Sequence, residues 1–128
     1  MAEHFESVGA PLTNVRWSWG ARRPTDGALF LRAWKDELRR DANGQQWVKI
    51  WDQSGNGHGW QERQAHIEEI EAGARCFMVM CEALDTLADP RTVAGFDRRR
   101  VLVGGEIQHE QGVAWIRVAD DKSIWEVR

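Results

Sequence analysis

Six consecutive apolar residues, Cys76-Phe77-Met78-Val79-Met80-Cys81, constrain this chain more than any other feature. A run that is apolar on both faces suits a central strand covered on two sides, with a buried helix as the alternative. Covering both faces takes a sizeable chain, and 128 residues with 42% hydrophobic and 29% charged side chains are enough for one globular core. Residues 1–128 read as a single domain. Residues 1–13 read as a lead-in, because Gly9 and Pro11 discourage regular structure.

The segments around this run set the fold class. In residues 14–20 the alternation of Val15, Trp17 and Trp19 predicts an extended segment. Pro24 and Asp26-Gly27 mark a turn, and residues 28–35 follow as a strand. Asn43-Gly44 is a hairpin signal leading into a strand over 46–52, with Val48 and Ile50 on one face and Trp47, Lys49 and Trp51 on the other. After a glycine-rich loop, residues 60–72 form the best helix, with Ala65, Ile67 and Ile70 inward and Glu62, Arg63, Glu68, Glu69 and Glu71 in water. Gly73 is placed to cap it. Residues 84–97 read as irregular, 99–108 and 113–118 as a hairpin, and 123–127 as a last short strand. The order predicts an α+β fold: a curled antiparallel or mixed sheet, or small barrel, with one main helix against it. Val48, Ile50, Ile67, Ile70, Phe77, Val79, Leu102, Ile116 and Val118 are the expected core.

Charge and motifs exclude several functions. A net charge of −3 disfavours a non-specific DNA coater, though not a local basic patch. The apolar run is too short to cross a bilayer, and Met1-Ala2-Glu3-His4-Phe5 lacks the features of a signal peptide, so a cytoplasmic location without membrane contact is expected. Cys76 and Cys81, five apart, would face opposite sides of a strand, which argues for free thiols. His4, His58, His66 and His109 show no zinc spacing, and no metal or other cofactor is expected. Asp52, Ser54 and His58 have the letters of a triad but crowd one loop, whereas a triad needs rigid, separate supports. The loop Gly55-Asn56-Gly57-His58-Gly59 invites a phosphate, but Trp60 stands where a dinucleotide fingerprint needs a small residue, and the Lys-Ser/Thr pair of a Walker loop is absent. Binding rather than catalysis is the expectation.

Tryptophan carries the positive signal. The chain has 8 Trp, 4 Phe and no Tyr. Core packing is the ordinary use of Trp, and solvated ion pairs are the ordinary use of Arg runs. Here the two interleave: Arg16-Trp17-Ser18-Trp19, Arg32-Ala33-Trp34 and Trp47-Val48-Lys49-Ile50-Trp51. Aromatic faces beside cations suit a binder of bases and phosphates. Trp17, Trp19, Trp34 and Trp51 are therefore candidate cage walls, with Asn14 and Asp52 for base-edge hydrogen bonds. Arg16, Arg22, Arg23, Lys49, Arg98, Arg99 and Arg100 are candidates for the nucleic-acid backbone.

Leu12-Thr13-Asn14-Val15-Arg16-Trp17-Ser18-Trp19-Gly20 and Gln61-Glu62-Arg63-Gln64-Ala65-His66-Ile67, with the element order, resemble the small PUA-like barrels of the EVE, YTH and SRA type that occur with modification-dependent restriction. The resemblance implies a defence-associated reader that holds a modified, flipped base in an aromatic pocket. The leading expectation is thus a non-catalytic nucleic-acid reader, with DNA favoured. A protein-interaction module, such as an accessory subunit or homodimer, is the alternative, and a small-molecule binder the second. Convergence of the four Trp on one open pocket would separate these readings.

Overall fold

The computed structural model describes residues 1–128. The apolar run is a strand, and its neighbours explain why both faces are apolar. In chain order the strands are β1 (Gly20–Arg22), β2 (Leu29–Trp34), β3 (Leu38–Arg40), β4 (Gln46–Asp52), β5 (Cys76–Ala83), β6 (Val93–Phe96), β7 (Arg100–Glu110) and β8 (Val113–Ser123). They form one mixed sheet in the order β1-β2-β5-β7-β8-β4-β3, with β6 also on β5. The β2–β5 pair is parallel and the others are antiparallel.

One face of β2 and β5 presents Leu29, Leu31, Cys76, Met78 and Met80 to an inner core shared with Val48, Ile50, Ile116 and the helix α2 (His58–Glu71). The opposite face presents Phe30, Phe77 and Val79 to a second cluster covered by α1 (Ala2–Ser7) and α3 (Ile124–Val127). Phe77 and Val79 thus belong to a second core rather than to the one under the main helix. Leu102 and Val118 are only half-buried at the edge of the inner one.

Both chain ends differ from expectation for the same reason. Phe5 and Val8 are buried three residues apart, as are Ile124 and Val127, which is helical rather than strand spacing. The lead-in therefore contains α1. The expected final strand is instead α3, where the Ser123 hydroxyl accepts from the Trp125 N–H at 3.3 Å. Residues 14–18, expected to be extended, are a turn closed by the Ser18 N–H on the Asn14 carbonyl at 2.9 Å, which leaves Val15 exposed. Part of the irregular stretch is β6, paired to β5.

α2 ends as expected. Gly73 has φ of 113°, its N–H donates to the Ile70 carbonyl, and the Ala74 N–H donates to that of Glu69. Its inward face is less apolar than the sequence suggests. Ala65 is exposed, while Gly59, Arg63, His66, Ile67 and Ile70 are buried.

Arg63 is inward because the sheet does not close. β2 and β4 approach each other across the curl, but no ladder joins them. The Arg63 guanidinium occupies this seam, with Nη1 donating to the Ile50 carbonyl at 2.7 Å and Nη2 to the Arg32 and Trp19 carbonyls at 2.7 and 2.9 Å. One planar cation thus ties β4, β2 and the lead into β1 where strand pairing is missing.

Candidate ligand-binding cleft

The C-terminal ends of β2 and β4 come together beside the Arg63 seam, and each carries a Trp at or next to its end. Trp34 closes β2 and Trp51 lies one residue before the end of β4. The β4–β8 register shifts between Lys49 and Trp51, and this irregularity breaks the strict alternation along β4. Trp51 consequently packs against the inner core instead of simply continuing the row of Trp47 and Lys49. Trp19 arrives from the bend before β1, and Trp60 from the first turn of α2.

These four indoles line two adjoining spaces. The Trp19 and Trp34 ring centroids are 5.5 Å apart at 60°, and those of Trp51 and Trp60 are 6.5 Å apart at 27°. All four line a recess of about 50 Å³ with Arg32 and Arg63. Trp19, Trp34 and Trp60 also line an open cleft of about 610 Å³, completed by Lys49, Asp52 and the loops at 54–56 and 86–91. The recess has room for a few waters, whereas the cleft has the size of a small-molecule site.

Polar groups fix the walls. The Trp60 Nε1–H donates to the Asp52 carbonyl at 2.7 Å. Lys49 Nζ lies 2.6 Å from Glu37 and 3.3 Å from Asp52. Burial works to lower the Lys49 pKa, but these two carboxylates outweigh it and hold the ammonium above its ordinary value. Burial likewise pushes Asp52 up, and the Ser54 hydroxyl and N–H together with Lys49 bring it below the usual carboxylate range. Two cations already lie over Trp rings: the Arg32 guanidinium is 4.5 Å from the Trp19 centroid and that of Arg91 is 5.2 Å from the Trp34 centroid. Arg91 is bound bidentately by Asp36 at 2.8 and 2.9 Å. The Trp51 Nε1–H is buried without a partner.

Of the expected site residues, Trp19, Trp34, Trp51, Asp52 and Lys49 meet here. Trp17 does not; it packs on His58 with centroids 5.4 Å apart. Asn14 is committed to its own turn, its Oδ1 accepting from the Arg16 N–H at 2.8 Å and its N–H donating to the Ser18 hydroxyl at 3.0 Å. Arg16 is exposed on that turn.

Arg23 is not available for a phosphate. It is buried, and its guanidinium donates to the Val8 and Val127 carbonyls and to Asp26, tying both chain ends to the sheet. Arg22 pairs with Glu69 at 3.5 Å, and Arg100 with Asp121 at 2.7 Å. Arg98 lies over Phe96, while Arg99 is exposed and its carbonyl accepts from the Ile124 N–H. Arg98 and Arg99 lie on the turn before β7 and Arg100 opens that strand, and none of the three lines the cleft.

Arg32, Glu37, Trp60, Arg63 and Arg91 join the site without having been singled out for it. The pairing of Arg32 with Trp34 in sequence was visible. Arg91 follows Pro90 in a stretch with no periodicity, so nothing marked it. Both cysteine thiols are buried, and burial pushes Cys76 up to about 12 and Cys81 upward as well, which leaves neither as a ready nucleophile. No group of three His, Cys, Asp or Glu side chains is placed to hold a metal ion. No helix is long and apolar enough to cross a membrane. Comparison with family models, curated proteins and solved structures finds no match for this chain.

Proposed function

We propose that the cleft reads nucleic acid by taking one base, withdrawn from its strand, between the Trp walls. The observation that carries this reading is the convergence of Trp19, Trp34 and Trp60, from three separate elements, on one open cleft, with Trp51 in the small recess beside it. Flat rings stack on indoles whatever their sequence, and the Asp52, Lys49 and Glu37 edge supplies hydrogen-bond donors and acceptors for the rim of a base.

Aromatic walls also suit quaternary ammonium ligands. That use would compete with cations already in place. Arg32 and Arg91 lie over Trp19 and Trp34, so a cationic ligand would have to displace them from the indole faces. Lys49 and Arg91, for their part, are neutralised by Glu37, Asp52 and Asp36. A modified base, as the PUA-like resemblance implies, is the form of ligand this proposal favours.

A titration of plain and base-modified oligonucleotides, single-stranded and duplex, followed by tryptophan fluorescence, tests the reading. Binding with quenching that is lost in Trp34→Ala is the expected result. Binding of free planar small molecules with no oligonucleotide binding would assign the cleft to a metabolite instead.

A further inference from the structure

Trp125 is the only aromatic among the large apolar side chains that this fold leaves exposed. It lies on α3, on the sheet face away from α2, and it lines neither the recess nor the cleft. One exposed tryptophan is not a site, but this one stands among arginines without partners. Arg98, Arg99 and Arg128 are exposed and make no ion pair or side-chain hydrogen bond, whereas the exposed Arg22, Arg39, Arg75 and Arg100 are each matched to a carboxylate.

These residues form one patch. The Arg128 guanidinium lies 4.2 Å from the Trp125 centroid, and that of Arg98 lies 4.7 Å from the Phe96 centroid. His4, its ring centroid 5.1 Å from that of Phe96, connects the two: burial lowers its pKa, and Arg98 and Arg128 both lower it further. The Arg99 carbonyl accepts from the Ile124 N–H at 2.7 Å, which sets Arg99 beside Trp125. Stacking on the indole occupies the face of the Arg128 guanidinium and leaves its N–H edge open to a carboxylate.

We propose that this patch docks an acidic segment of a partner protein, with Trp125 as the apolar anchor and Arg98, Arg99 and Arg128 meeting its carboxylates. Trp and Arg are the side chains that most often dominate protein interfaces. Charge complementarity selects the partner, since unmatched arginines gather here on a chain of net charge −3. A nucleic-acid backbone fits less well. Its evenly repeated phosphates would run against Asp121 and Glu126 beside Arg100, whereas a peptide can space its carboxylates to avoid them. The patch is separate from the cleft, and its occupant does not depend on the base-reading proposal.

The test uses a short labelled peptide of Glu residues around a central Leu, its Gln-for-Glu counterpart, and fluorescence anisotropy. The wild type should bind the first peptide and not the second. Trp125→Ala and Arg99→Glu should each lose roughly tenfold or more in affinity, with melting temperatures at the wild-type value because both side chains are exposed. Arg16→Glu makes the same charge change at an exposed arginine on the 14–18 turn, and it should bind as the wild type does, as should Trp34→Ala. Absence of wild-type binding, equal losses in Arg16→Glu and Arg99→Glu, or full binding by Trp125→Ala overturns the docking surface. A single-stranded oligonucleotide that displaces the peptide from wild type and Trp34→Ala alike would assign the patch to phosphates and overturn it too.

Discussion

Gly55 lies against the indole of Trp60 so closely that a β-carbon on Gly55 would overlap the ring. Gly55 is required there for space, because its backbone lies directly against the ring of a cleft wall. Gly55→Ala should displace Trp60 and break its hydrogen bond to the Asp52 carbonyl. Overpacking of this kind costs about 1–3 kcal/mol, and at the rim of the fold it should alter the near-ultraviolet circular dichroism of tryptophan more than the far-ultraviolet spectrum. Ligand affinity should fall in parallel. Unchanged near-ultraviolet signal and affinity would show that the loop moves aside freely.

Arg63 holds the seam between β2 and β4, and its loss leaves the carbonyls of Arg32 and Ile50 without this donor, while the Trp19 carbonyl keeps the Arg32 N–H at 2.8 Å. Burial lowers its pKa to about 10, still well above neutrality, so the guanidinium stays charged. Arg63→Met should destabilise the fold by about 3 kcal/mol or more in urea denaturation, since each unsatisfied buried acceptor costs about 1–3 kcal/mol. Arg63→Lys should recover less than half of this, because an ammonium does not reproduce the planar fork. A loss below 1 kcal/mol would mean that water replaces the guanidinium in the seam.

The elements with clean local signals were legible in the sequence. The strand over 46–52, the turn at Asn43-Gly44, the helix cap at Gly73 and the doubly buried β5 each follow from periodicity or turn chemistry. Arg63 was not legible. A buried arginine among Glu62, Gln64 and Glu68 looks like a solvated face until the unpaired strand edges it serves are known. The irregularity at Lys49–Trp51 likewise changes the environment of Trp51 by a register shift that alternation does not reveal. Half of the site was visible because Trp beside a cation is a local pattern. Trp60 and Arg91 were hidden because their role depends on the loop and seam that carry them.

His66 is buried with its Nδ1 unpartnered, and burial, with Arg63 and Arg22 nearby, lowers its pKa from 6.5 to about 4. The folded state therefore binds this proton less readily than the unfolded chain. The stability tied to the neutral imidazole is complete above about pH 6.5 and is lost as pH falls toward 4, by roughly 3 kcal/mol at the limit. Denaturation midpoints of wild type and His66→Gln, compared from pH 7 to pH 4, should converge as pH falls. Parallel curves would show that His66 titrates alike in both states.

The central claim is that the Trp cleft takes a base, and Trp125 supplies the control. Trp125 is 74% exposed, packs on Arg128 and lies outside the cleft. The decisive measurement is oligonucleotide affinity as a function of salt for wild type, Trp34→Ala and Trp125→Ala. Trp34→Ala should lose about 1–3 kcal/mol of binding with an unchanged salt slope, because stacking releases no counterions, and Trp125→Ala should bind as the wild type does. Equal affinities for Trp34→Ala and wild type, or no oligonucleotide binding by the wild type at low salt, would contradict the account.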